Sequence, residues 1–65
     1  MDGQVKRMLL KHEAELRGQA GNARSRQEAE DFIFAANQCE SLIRDRATNA
    51  EVLAFMETVR PTYHY

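Results

Sequence analysis

Along the chain, apolar side chains return every three or four positions, and no stretch alternates convincingly with period two. Three helical segments follow from this pattern. In the first, from about residue 4 to 20, Val5, Met8, Leu9, His12 and Leu16 obey the i, i+3, i+4, i+7 rule. They form a stripe about 100° wide, with Glu13 and Arg17 as an i, i+4 ion pair on the outer side. Gly18 and Gly21 weaken the end of the segment. Gly21-Asn22 predicts a left-handed cap there.

The second segment, about residues 25–46, opens with Ser25 three positions before Glu28, the spacing of a capping box. Glu28, Glu30 and Asp31 then lie near the positive end of the helix dipole, which accounts for this acidic cluster without catalysis. Ala29, Phe32, Ile33, Ala36, Cys39 and Ile43 share one face, Ala35 and Leu42 form a weaker side stripe, and Glu40 and Arg44 are spaced as an ion pair. Thr48 and Glu51 repeat the capping signal before a third segment at about residues 48–60. Here Val52, Met56 and Val59 centre a stripe about 160° wide, flanked by Leu53 and Phe55, and Pro61 ends the helix. The capping signal at Thr48 favours two separate helices over one long bent helix. The expected fold is all-α: an antiparallel helical hairpin with a third short helix packed across it, a three-helix bundle.

A chain of 65 residues makes one small domain, residues 1–65, with residues 61–65 as a flexible aromatic tail. A core of about a dozen side chains leaves such a monomer marginal, so dimerisation is expected. Nine basic residues against ten acidic ones give a net charge of −1, which argues against a dedicated nucleic-acid binder. No run is long and apolar enough to predict a membrane span or a secretory signal. Cys39 is the sole cysteine and has no partner for an internal disulfide. A cytoplasmic location is therefore expected.

Two residues invite chemistry. Cys39, on an apolar face with no nucleophile motif around it, reads as a small buried hydrophobe. His12 reads as a core-edge or interface residue, because His12, Cys39 and His64 are scattered singly and do not form a metal set. No phosphate loop or hydrolase motif is present. The chain is expected to be no enzyme and to need no cofactor or metal.

What remains is surface. Phe34 lies about 160° and Leu10 about 140° from the apolar centre of its own helix. With Leu42 on the side stripe and Tyr63 and Tyr65 in the tail, they define an expected partner-binding surface. The function expected is a small protein–protein interaction module: an accessory, inhibitor or adaptor of bacterial or phage type, an attribution that rests on compactness alone. The alternative is a nucleic-acid-associated regulator. It would use Arg17, Arg24 and Arg26 at the hairpin tip, or Arg44 and Arg46 with Lys6 and Arg7 at the other end. A third helix with Glu51, Glu57 and a wide apolar stripe makes a poor recognition helix for a major groove. A contiguous one-sign stripe of arginines would favour nucleic acid, and arginines interleaved with acids would favour protein.

Overall fold

The first helix, α1, begins one residue earlier than its apolar pattern. Asp2 is extended, and its carboxylate accepts a hydrogen bond from the Val5 backbone N–H at 2.8 Å, so α1 runs Gly3–Gly21. The computed structural model describes residues 1–59. Within them α2 spans Arg26–Arg44 and α3 spans Asn49–Thr58, with no strand. The all-α three-helix architecture is therefore as expected. α1 and α2 form the hairpin, and α1 also packs against α3.

The connection between α1 and α2 departs from expectation. No left-handed residue occurs at Gly21 or Asn22; Asn22 has φ −108°. Its backbone N–H bonds to the Gln19 carbonyl at 3.1 Å, and its side-chain amide donates to the Gly18 carbonyl at 3.2 Å. The free carbonyls of the last turn are thus satisfied without the turn that glycine favours.

At the start of α2, Ser25 Oγ accepts from the Glu28 N–H at 3.1 Å. The apolar side of this helix is rotated from the predicted face. Ala35, Ala36 and Cys39 are buried, with Phe32, Leu42 and Ile43 packed against the core. Ile33, placed inside by the sequence, is 44% exposed. The reason is α3, whose Phe55 shares a groove with Leu42. That neighbour draws the covered arc of α2 toward Leu42 and Ala35 and leaves Ile33 on the open flank.

α2 ends in a left-handed residue of its own. Arg46 has φ 54°, its N–H bonds to the Ile43 carbonyl at 3.2 Å, and the Ala47 N–H bonds to the Leu42 carbonyl at 3.0 Å. This is the Schellman arrangement, with Arg46 in the place where glycine is usual. Ala47 is buried directly after it. α3 then opens with a full capping box: Thr48 Oγ1 accepts from the Glu51 N–H at 3.2 Å, and Glu51 accepts from the Thr48 N–H at 3.5 Å.

α3 runs alongside the N-terminal half of α1, in the same direction. Its start is clasped: the Met1 nitrogen donates to the Ala47 carbonyl at 3.1 Å, and Asp2 and Asn49 exchange two hydrogen bonds of 3.0 Å. At its end, the Val59 carbonyl accepts from His12 Nε2, and the His12 ring meets Phe55 edge-on at 6.1 Å. Val59 is extended, so the helix stops at Thr58, two residues before the predicted boundary. The buried core joins all three helices: Val5, Leu9 and Leu16 from α1, Ala35, Ala36 and Cys39 from α2, and Ala47 and Val52 at and after the last turn.

Candidate functional site

With α3 covering one flank of the hairpin, the other flank is open. Helical spacing fixes what lies there. Leu10 is seven residues from Arg17 on α1, and Ile33 is seven residues from Glu40 on α2, an offset of about 20° in each case. Arg17 and Glu40 meet across the helices at 2.6 Å. Leu10 and Ile33 therefore belong to the same flank as that bridge. Phe34 points about 100° further round α2 than Ile33, on the solvent side away from the core, within about 40° of Gln38 and Ser41.

Phe34 is 64% exposed and Leu10 is 44% exposed, so the structure bears out the sequence placement of both away from the core. Leu42 differs: it is half-buried and packed against the core, lining a shallow groove with Gln38, Ser41, Asp45 and Phe55. It is thus separated from Leu10 and Ile33 by the body of the hairpin, while Phe34, four and seven residues before Gln38 and Ser41, borders the groove from its solvent side. Tyr63 and Tyr65 lie outside the described residues. Ile33, and Met8 on α1 at 46% exposure, are surface residues that the periodicity placed on a core face; Ile33's spacing fits that face until α3 is placed.

The polar part of the flank is a single connected bridge. Arg17 pairs with Glu13 at 2.9 Å and Glu40 at 2.6 Å, and reaches Asn37 at 3.4 Å. The Glu13 hydrogen bond leads in holding the Arg17 guanidinium above its ordinary pKa. Glu40 was expected to pair with Arg44. It turns to Arg17 instead, and Arg44 contacts Asp45 at 3.5 Å and the Ser41 hydroxyl at 3.3 Å. A fixed guanidinium across the groove offers a planar two-carboxylate partner that a neighbouring exposed side chain does not.

The basic residues form no single-sign stripe among the described residues. Arg26 pairs with Glu30 at 3.2 Å beside the exposed Arg24, and Arg17 is turned toward carboxylates and away from the tip. At the opposite end, Lys6 and Arg46 line one cavity, as the hairpin register predicted.

Cys39 is fully buried and unpaired. Burial leads in pushing its thiol up to about 11, with the Glu13 charge adding in the same direction. A thiol so protonated is a poor nucleophile at neutral pH. Among the described residues no group of three His, Cys, Asp or Glu side chains is placed to hold a metal ion, and no helix is long and apolar enough to cross a membrane. A carboxylate pair with a cleft between its members, the starting point for acid–base hydrolysis, does not emerge on this flank; Glu13 and Glu40 share one arginine.

The sequence matches no known protein-family model, and no curated protein or solved structure is significantly similar to it.

Proposed function

We propose that the chain is a small helical interaction module that works by binding protein through the open flank of the α1–α2 hairpin, and that its first partner is a second copy of itself. The observation that carries this reading is Phe34, 64% exposed in the middle of a 19-residue helix and adjacent to the half-exposed Ile33. Two large exposed apolar side chains at successive positions of one helix, in so small a body, favour an interface over open solvent.

The surrounding charges support a symmetric partner. Arg26, Ile33 and Glu40 are spaced by seven residues and share one stripe. Two α2 helices, antiparallel about a two-fold axis at Ile33, would set each Arg26 against the other copy's Glu40. The side chains of Arg26 and Glu40 are both largely exposed, so neither must be uncovered to exchange partners. An isologous pairing of this kind is self-complementary by construction. Binding rather than catalysis is the role assigned, since the lone thiol is buried and protonated. A reducing, cytoplasmic setting suits such a thiol. Arginines interleaved with carboxylates support protein over nucleic acid as the partner.

The test is sedimentation equilibrium of the intact chain, of Phe34→Ser with Ile33→Ser, and of Met8→Ser as a control at an exposed position on the α1–α3 groove. Concentration-dependent dimerisation abolished by the first change supports the reading. A wild-type chain monomeric at every concentration overturns the self-pairing.

A further inference from the structure

Arg46 is the one described residue outside glycine with a positive φ, 54°. It closes the Schellman turn at a position that disfavours any residue with a Cβ. Glycine there would give the same turn without the steric cost. An arginine at such a place turns attention to its side chain.

That side chain lines a cavity of about 320 Å³ together with Lys6, Met1 and Ile43. Lys6 comes from the second turn of α1 and Arg46 from the end of α2, so two remote segments bring two cations to one recess. Neither has a carboxylate within ion-pair distance among the described residues, whereas Arg17, Arg26 and Arg44 each do. The acids nearest in sequence are already engaged: Asp45 with Arg44, and Asp2 with the Val5 N–H and Asn49. Two unneutralised cations facing one recess repel each other and favour a dianion between them. Arginine supplies a planar fork for two oxygens and lysine a point charge, the pair that recurs at phosphate groups.

We propose that this recess binds the phosphate of a small phosphomonoester, with Lys6 and Arg46 on the dianionic oxygens and the Ile43 side of the cavity against the organic group. The recess is half-open and mostly polar, and Ile43 and Met1 give it an apolar edge on which the organic part of an ester would rest.

The experiment is an NMR amide titration at low salt with phenyl phosphate, inorganic phosphate and a short DNA duplex in separate arms. It uses the intact chain and the variants Arg46→Gly, Arg46→Gln and Lys6→Gln, with the melting temperature of each. The expected result is a saturable shift at Lys6, Ile43 and Arg46, tighter for phenyl phosphate than for inorganic phosphate. Arg46→Gly should melt several degrees higher yet bind about tenfold more weakly, since relief of the left-handed residue and loss of a charged hydrogen bond act oppositely. Arg46→Gln and Lys6→Gln should weaken binding about as much with no gain in melting temperature. Non-saturable shifts, or unchanged affinity in Arg46→Gly, would overturn the site. Equal affinity for inorganic phosphate would overturn the ester assignment, and tighter binding of the duplex would overturn the small-molecule assignment.

Discussion

Asp2, Cys39 and Arg17 show how single side chains set the behaviour of this molecule. Asp2 caps α1 and clasps Asn49, and the Val5 N–H leads in holding its carboxyl below the ordinary value. A lowered folded-state pKa contributes stability that is present above the unfolded value and lost as pH falls through the folded one. Asp2→Ala should therefore lower stability at neutral pH, through loss of the N-cap hydrogen bond to Val5. The difference from the wild-type chain, measured by urea unfolding, should shrink below about pH 3.8. Cys39 behaves in the opposite sense. Its thiol is raised from 9.0 to about 11, so its contribution is complete below pH 9 and lost as pH rises toward 11. Stability should fall across that window, and Cys39→Ala should flatten the fall. Alkylation of the thiol at neutral pH should proceed only as fast as the core opens. Arg17 spans two carboxylates but is substantially exposed, so Arg17→Gln should change stability little in urea unfolding, and less still at high salt.

At the scale of the elements, α3 is the least anchored. Val52 is its one fully buried side chain, and its two ends are held by the Asp2–Asn49 clasp and the His12–Val59 hydrogen bond. Val52→Ala should cost about 2 kcal/mol, the order expected for a deep cavity at a core position. It should also lower hydrogen-exchange protection in α3 more than in α1 and α2. Much of this level was legible in the sequence. Ser25 and Thr48 marked two helix starts, because capping is a local event that depends on spacing within one turn. The third start was missed: Asp2 is a good N-cap residue, but Gly3 follows it and Val5 stands where a capping box would have Glu, so the signal was weaker. The outward positions of Phe34 and Leu10 also followed from periodicity alone. Ile33 and Leu42 did not, because the face of α2 that is covered depends on where α3 lies, and that is a tertiary outcome. Arg46 likewise gave no cue. Its left-handed turn is chosen by the buried Ala47 and the bonds back to Leu42 and Ile43, in a position where sequence reasoning expects glycine.

The whole molecule is a thin core with an uneven surface. Among the described residues eight buried ones join the helices, none of them aromatic, while Phe34, Ile33, Leu10, Met8 and Leu53 remain substantially exposed. Met8 flanks the α1–α3 groove that also holds His12 and Met56, so the apolar exposure is not confined to one flank. What distinguishes the Ile33 flank, with Phe34 at its solvent edge, is the symmetric placing of Arg26 and Glu40 about Ile33. If a second copy covers that flank, the melting temperature must rise with protein concentration, since dimerisation stabilises by mass action. Scanning calorimetry over a hundredfold concentration range checks this; a constant melting temperature would remove the coupling.

Sedimentation equilibrium at several concentrations tests the central claim most directly, on the wild-type chain and on Ile33→Ser with Phe34→Ser. The account predicts a reversible species of twice the chain mass for the wild-type protein, and a folded monomer by circular dichroism for the double variant. A folded double variant that still dimerises with unchanged affinity would contradict it.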